Sequence, residues 1–323
     1  MNLSGCETSG RTLCDSQYAS TGLPRRLRLL AMTFPPKVSD TSDRERNGGN
    51  PLAKSHCPSY VLPMPKIKTS NGLTCYYEQQ GTGEPLILIG GLSADHTVWS
   101  FVVPVLSKYF RVLTFDNRGV GQTEAPPGPY TISMMARDVA GLMECLSIEK
   151  ATMVGHSMGG LILQQFCLDY PEKVTRAVLA ASTKEIPVPS MIHIDSVIKL
   201  MEANVDPSAI LWTTFPWLFG EEFLRDGQRI ASRMEALMTN PYPQSLEAFK
   251  AQVEACRQAN QISFLHRIKT ETLVVAGEED LITPLRCSEE LHRGITHSKM
   301  AVLKCGHMLS LEKPQEFCRL LVC

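Results

Sequence analysis

The chain has 323 residues with 32 basic and 33 acidic side chains, so its net charge near neutral pH is −1. Apolar residues make up 43% of the sequence, which excludes a protein that is disordered throughout. The balanced charge excludes binding of nucleic acid or an anionic membrane through overall charge. No apolar stretch approaches the roughly 18 residues of a membrane-spanning helix.

Residues 1–63 differ in character from the rest of the chain. They carry more basic than acidic residues, and residues 38–50 are polar, rich in glycine and without periodicity. Such sequence buries too little apolar surface to fold, so we expect a disordered N-terminal extension. Two alternatives stay open: a targeting segment that is removed, or a translation start at Met64, after which organised sequence begins.

Strands and helices alternate along most of the remaining sequence. Asn71-Gly72 lies between two runs of alternating hydrophobicity and predicts a β-hairpin. Further strands are predicted, from apolar runs, at residues 84–91, 111–116, 151–157, 176–182, 272–277 and 300–304. Helices are predicted, mostly from apolar periodicity, at residues 98–109, 133–146, 158–170, 285–293 and 314–322. This alternation indicates an α/β fold with a mostly parallel sheet and helices on both faces.

Residues 184–263 interrupt the alternation. They contain several helical stretches and no convincing strand, and residues 211–224 hold two of the three tryptophans. We therefore expect a helical cap at residues 184–263. We expect this cap to be inserted into a core that consists of residues 64–183 and 264–323.

The pentapeptide at residues 155–159, GHSMG, fits the pattern GxSxG. This pattern places a serine on a tight turn between a strand and a helix, where glycines relieve crowding. An apolar strand precedes the pentapeptide and an amphipathic helix follows it, as the pattern requires. The turn exposes the hydroxyl, and the start of the helix offers N–H groups to a developing anion. Ser157 is therefore the predicted nucleophile, and a serine in a core turn is the alternative.

A serine hydroxyl needs a base, and His307 is the histidine with a suitable setting. It lies in residues 304–308, just after a predicted strand, and a loop at that end of the sheet faces the nucleophile turn. The alternative is a surface-loop histidine. His156, next to the serine, is interpreted as structural or pocket-lining, because adjacent side chains on such a turn point in different directions.

A third group should hold the imidazole in the correct tautomer, and Asp280 is the predicted carboxylate. It follows the strand at residues 272–277 and precedes a helix. Glu278 and Glu279 are the local competitors and are interpreted as solvated loop charges. The order serine, aspartate, histidine along the chain is that of α/β-hydrolases.

Residues 65–323, about 80% of the chain, resemble α/β-hydrolase-fold proteins with a helical cap. Within that family the chain is similar to small carboxylesterases and to 3-oxoadipate enol-lactonase-like proteins. The segments that carry the resemblance are residues 90–99, 116–126, 155–160, 276–284 and 305–314.

The resemblance implies an oxyanion hole formed by the backbone N–H groups of Leu92 and Met158. Many relatives have His-Gly where this chain has residues 90–91, Gly-Gly, and we expect a more flexible loop here. Asp116 and Arg118 match the family's DxRGxG turn and are interpreted as structural supports. The family implies neither a cofactor nor a metal. Its members with an aspartate nucleophile, the epoxide hydrolases and haloalkane dehalogenases, are excluded by the serine at this position.

The expected function is hydrolysis of a small or medium, largely apolar carboxylic ester or a lactone through an acyl-enzyme. The expected partner is thus a small-molecule substrate. Trp212, Phe215 and Trp217 are candidate walls of its pocket, with a cap core as the equal alternative. A carbon–carbon bond hydrolase, a thioesterase, an acyltransferase and a non-catalytic ligand receptor are the other functions that this site could serve.

The eleven cysteines are the one unusual count in the composition. Their number is odd and no CxxC pair occurs, so we interpret them as reduced thiols in a cytoplasmic protein. Only Cys305, two residues before His307, lies close enough in sequence to the predicted site for its oxidation to disturb catalysis.

Overall fold

The computed structural model describes residues 66–260 and 264–322. The predicted N-terminal extension at residues 1–63 lies outside the described residues. None of the described helices is long and apolar enough to cross a bilayer.

Eight strands in the described residues form one sheet. They are β1 (Lys66–Lys68), β2 (Thr74–Gln80), β3 (Pro85–Ile89), β4 (Arg111–Phe115), β5 (Ala151–His156), β6 (Val174–Ala180), β7 (Thr272–Gly277) and β8 (Ser298–Leu303). Their order across the sheet is β1-β2-β4-β3-β5-β6-β7-β8. The β1–β2 and β2–β4 pairs are antiparallel and all the others are parallel. The mostly parallel sheet and the hairpin at Asn71-Gly72 are both confirmed.

Eleven α-helices accompany these strands in the described part of the chain. They are α1 (Val103–Leu106), α2 (Ile132–Cys145), α3 (Met158–Asp169), α4 (Val188–Glu202), α5 (Pro207–Leu218), α6 (Glu221–Arg225), α7 (Gly227–Met238), α8 (Leu246–Gln258), α9 (Leu285–Gly294), α10 (Leu309–Glu312) and α11 (Pro314–Val322).

Two apolar cores lie on opposite faces of the sheet, because successive side chains of a strand point to opposite faces. In β3, Ile87 and Ile89 belong to one core, together with side chains of α2, α3 and α9. Leu86 and Leu88 belong to the other core, together with side chains of α1, α5 and α11. Helices therefore cover both faces, as the alternating pattern of the sequence predicted.

The helix predicted at residues 98–109 is mostly wrong. The structure has a short 3₁₀ turn at His96–Trp99 and then the single turn of α1. Pro104 lacks the N–H that a continuous helix would need to bond to the carbonyl of Ser100, so it fits only the first turn of a helix.

Five helices, α4 to α8, and no strand lie in the described residues between β6 and β7. This agrees with the helical character predicted for residues 184–263. The division of the chain into a cap and a core at those boundaries stays a prediction, and residues 261–263 lie outside the described part.

Candidate active site

Ser157 lies on the turn that connects β5 to α3. Its backbone has φ +55° and ψ −118°, a left-handed conformation that L-residues adopt at a cost. Three hydrogen bonds maintain this conformation: its N–H donates to Ala180 O at 2.9 Å, and its carbonyl accepts from Gly160 N at 2.9 Å and from Ser182 Oγ at 3.0 Å. The turn is thus strained and held by its neighbours, which is common where a backbone serves a function.

Glycines beside Ser157 allow the close packing that this turn requires. A Cβ at Gly155 would overlap the carbonyl group of Gly159, and a Cβ at Gly159 would overlap the carbonyl oxygen of Ile89. Both collisions involve backbone atoms, which cannot swing away as a side chain would. The two glycines of the pentapeptide are therefore sterically required.

His307 lies in the loop after β8 and is buried together with Asp280, which follows β7. His307 Nδ1 is 2.8 Å from Asp280 Oδ2. The same carboxylate accepts from Ile282 N at 2.8 Å, Thr283 N at 2.9 Å and Thr283 Oγ1 at 2.8 Å, which fixes its orientation. Since a carboxylate accepts hydrogen bonds, Nδ1 carries the proton and Nε2 has a free lone pair. Neither Glu278 nor Glu279 bonds to the imidazole among the described contacts.

His156 connects the loop of His307 to the turn of Ser157. Its Nε2 donates to His307 O at 2.9 Å, and the two imidazole centroids are 4.8 Å apart. Burial lowers the pKa of His156 to about 3, with a smaller contribution from its neighbour His307, so the imidazole of His156 stays neutral. Among the described residues no hydrogen bond joins Ser157 Oγ to His307. In free enzymes this bond is often long and tightens only with substrate.

Leu92 and Met158 each present a backbone N–H that has no acceptor among the described residues. Met158 is the first residue of α3, where the helix leaves N–H groups unpaired. Leu92 follows Gly91, and a Cβ at Gly91 would stand 3.1 Å from Ser157 Cβ. The loop that carries Leu92 therefore lies directly against the serine. Two unpaired donors close to a serine can bind an oxyanion.

Asp116 and Arg118 stabilise the loop that follows β4. The Asp116 carboxylate accepts from His96 N at 2.7 Å and from Gln122 N at 2.8 Å. Arg118 forms a buried two-point ion pair with Asp138, at 2.5 and 2.6 Å. These contacts are with the surrounding backbone and side chains, in keeping with the structural role proposed for both residues.

The three candidate pocket residues lie in different surroundings. Phe215 is buried and packs edge-on against Phe219 within an apolar core. Trp212 is 56% exposed, and Trp217 is stacked on His193 with ring centroids 4.5 Å apart. A role in the pocket stays a prediction for all three.

Glu312, a buried carboxylate of α10, is not among the site residues predicted from the sequence. It accepts from Gly220 N at 2.8 Å, Gly306 N at 3.1 Å and Met308 N at 3.3 Å. It therefore joins the α5–α6 connection to the loop of His307. The one sequence signal is an acidic residue that directly follows an apolar run, MLSL, before Pro314.

No cluster of three or more His, Cys, Asp or Glu side chains suited to a metal ion occurs in the described part of the chain. The seven described cysteines are free thiols. Cys305 is buried, and burial raises the pKa of its thiol, which disfavours the reactive thiolate.

Comparisons with known proteins extend over the same residues. A family model described as alpha/beta hydrolase fold matches residues 84–314, which include Ser157, Asp280 and His307. The chain is 29% identical over 232 residues to 3-oxoadipate enol-lactonase 2 of Acinetobacter baylyi, across 72% of this chain and 85% of the relative. It is 27% identical over 266 residues to 2-hydroxy-6-oxo-2,4-heptadienoate hydrolase of Pseudomonas putida, across 79% of this chain and 94% of that hydrolase. The solved structure of a thermophilic esterase from Thermogutta terrifontis superposes with a TM-score of 0.71 at 26% identity, across 80% of this chain and 96% of the esterase chain.

Proposed function

The chain belongs to the α/β hydrolase fold family, and on this premise we propose that it is a serine hydrolase of small or medium, largely apolar carboxylic esters or lactones. One observation carries the proposal. The buried carboxylate of Asp280 orients the imidazole of His307. The backbone carbonyl of His307 in turn accepts a hydrogen bond from His156, the residue that precedes the strained Ser157. This arrangement supports Ser157 as the nucleophile, His307 as the base and Asp280 as the carboxylate that orients the base.

In the proposed reaction, His307 Nε2 accepts the proton of Ser157 Oγ as that oxygen attacks the carbonyl carbon of the substrate. The N–H groups of Leu92 and Met158 bind the oxyanion of the tetrahedral intermediate, and one such donor typically contributes about 10²–10³ in rate. His307 returns the proton to the leaving oxygen. A water molecule, deprotonated by the same imidazole, then releases the acyl group from Ser157. Asp280 orients the imidazole and stabilises its protonated form.

The surroundings of Leu92 support a largely apolar substrate. Its side chain packs against a cluster of Ile194 from α4 with Phe249 and Val253 from α8. An acyl group bound beside the oxyanion donors would meet these apolar side chains rather than charges. The names of the lactonase and the esterase among the similar proteins support the same substrate class.

A second candidate function is hydrolysis of a carbon–carbon bond. The similarity to the Pseudomonas putida hydrolase, over 79% of this chain, favours this candidate. The same serine, histidine and aspartate would serve both reactions, so the choice depends on the substrate rather than on the catalytic residues.

Labelling with a fluorophosphonate, followed by peptide mass mapping, tests the proposed nucleophile. We expect the probe on Ser157 in the wild-type protein and none in Ser157→Ala. A panel of short-chain and long-chain nitrophenyl esters, lactones and a vinylogous diketone then tests the substrate class. Preferred turnover of the diketone would favour the carbon–carbon hydrolase, and a preference for long acyl chains would refute the small-substrate proposal.

The free thiols support a reducing compartment, because structural disulfides form in oxidising ones. We therefore propose a cytoplasmic location. Recovery of the protein in an oxidising compartment of the source cell, measured by fractionation, would contradict it.

A further inference from the structure

Gln252 connects helix α8 to the loop that carries Leu92. Its side chain is fully buried although it is polar. Its Oε1 accepts from Ser93 N at 3.0 Å, and its Nε2 donates to Arg118 O at 2.9 Å. Ser93 directly follows Leu92, so this contact holds the peptide group next to the proposed oxyanion donor.

Gln244 holds Gln252 in place. Its Nε2 donates to Gln252 Oε1 at 3.1 Å and to Gly119 O at 2.9 Å. Gln252 Oε1 therefore accepts two hydrogen bonds, while Nε2 is bound to a carbonyl. This pattern determines the orientation of the Gln252 amide. In the reverse orientation its NH₂ group would face the N–H donors of Ser93 and Gln244, and its oxygen would face the carbonyl oxygen of Arg118.

The peptide group that contains Leu92 N–H lies between two peptide groups that side-chain amides hold. Asn117 Nδ2 donates to Gly90 O at 2.9 Å on one side, and Gln252 accepts from Ser93 N on the other. Residues 90–91 are both glycine, so no side chain of their own restricts their rotation. Ser93 itself has φ +59°, a conformation that needs such external support.

We propose that Gln252 is a positioning residue that aims the N–H of Leu92 at the developing oxyanion. The inference rests on the proposed serine-hydrolase function and adds to it a role for α8. Without the acceptor at Ser93 N–H, the glycine-containing loop would sample other orientations, and the oxyanion would lose part of its stabilisation. A displacement of about 1 Å at such a site lowers rates by as much as about 10²-fold.

Three variants separate positioning from general packing. Gln252→Met retains the length of the side chain and removes the acceptor, whereas Gln252→Glu retains the acceptor. Gln258→Met is the matched control, because Gln258 is an exposed glutamine of the same helix that bonds only to Glu254 within the described contacts. The kcat and KM for p-nitrophenyl butyrate would be measured for each, together with inhibition by a trifluoromethyl ketone, whose adduct with serine carries an oxyanion.

We expect Gln252→Met to lower kcat about 10- to 100-fold, with KM within about twofold of wild type. The affinity for the ketone should fall by the same factor as kcat, because both depend on the oxyanion. Gln252→Glu should retain a larger part of kcat and of the affinity for the ketone than Gln252→Met. Gln258→Met should match wild type in both measurements. A purely structural role would not change kcat and ketone affinity together at constant KM.

Wild-type kcat and ketone affinity in folded Gln252→Met would overturn the inference, and so would a loss in kcat without a matching loss in ketone affinity. If Gln252→Met does not fold, Gln244→Met tests the same point, because it removes one hydrogen bond to Gln252 Oε1. A several-fold loss in kcat would support the inference, and an unchanged kcat would overturn it. Wild-type protein that neither turns over esters nor reacts with a fluorophosphonate would instead refute the proposed function.

Discussion

His156 Nε2 donates a hydrogen bond of 2.9 Å to the backbone carbonyl of His307. The residue before the proposed nucleophile is thus bonded to the backbone of the proposed base. The two imidazoles lie side by side, and burial holds the pKa of His156 at about 3. His156 is therefore a poor proton acceptor near neutral pH, and His307 is the base of the proposed reaction.

The lowered pKa of His156 has a consequence for stability in acid. The unfolded chain protonates this residue near its ordinary pKa of 6.5, whereas the folded protein does so only near 3. Its contribution to stability is therefore complete above pH 6.5 and is lost as the pH falls toward 3. Between pH 6.5 and 4.5, wild type should lose more unfolding free energy than His156→Gln, measured by urea denaturation. Parallel curves for the two proteins would contradict the assignment.

The glycine before the nucleophile turn has a stringent steric requirement. We expect Gly155→Ala to lower the free energy of unfolding by about 2–4 kcal/mol and to abolish most ester turnover, because the new Cβ would overlap the backbone of Gly159. Gly227→Ala is the matched control. A Cβ there would meet nothing within 4 Å, so its stability should lie within about 1 kcal/mol of wild type. Thermal unfolding of both variants checks the difference, and similar values for the two would contradict this steric account.

Glu312 should contribute both to stability and to the position of His307. Glu312→Ala removes the acceptor of three buried backbone N–H groups, so the free energy of unfolding should fall by about 2–5 kcal/mol. Glu316→Ala, on the exposed side of the next helix, should change it by less than about 0.5 kcal/mol. Chemical denaturation measures both. A Glu312→Ala protein as stable as the control would show that the three N–H groups find other acceptors.

Thiol reactivity should follow burial rather than distance from the site. Cys145 is exposed, whereas Cys305 is buried and burial raises the pKa of its thiol. Brief treatment of the native protein with iodoacetamide should therefore modify Cys145 and leave Cys305 intact, as peptide mass mapping would reveal. Rapid modification of Cys305 under native conditions would support the prediction that its oxidation disturbs catalysis.

Local sequence patterns predicted most of the strands and helices around the site. Alternation and apolar runs located all the strands of the sheet, and the positions of Ser157, Asp280 and His307 followed from the strand ends that precede them. Each of these features is encoded by residues near one another in the chain. The predicted helix at 98–109 is mostly wrong. The spacing of its apolar residues fits a helix, but Pro104 has no N–H to continue a helix from residue 98, so only a single turn forms there.

Contacts between distant parts of the chain were not predictable in the same way. Gln252 lies in the amphipathic helix α8 and Glu312 in the single turn of α10. For polar residues such as these, a solvent-facing position is the ordinary expectation. Their hydrogen bonds join residues that are 159 and 92 positions apart in the sequence. No periodicity records such a pairing, since it depends on how the helices pack onto the sheet.

The central claim, that Ser157 becomes acylated during turnover, is tested most directly by trapping the intermediate. Rapid acid quenching during hydrolysis of p-nitrophenyl acetate, followed by peptide mass mapping, would measure where the acetyl group resides. We expect one acetyl group on the peptide that contains Ser157, with no such species and no turnover in Ser157→Ala. Undiminished turnover by Ser157→Ala, or an acetyl group on a different residue of the active wild type, would contradict the claim.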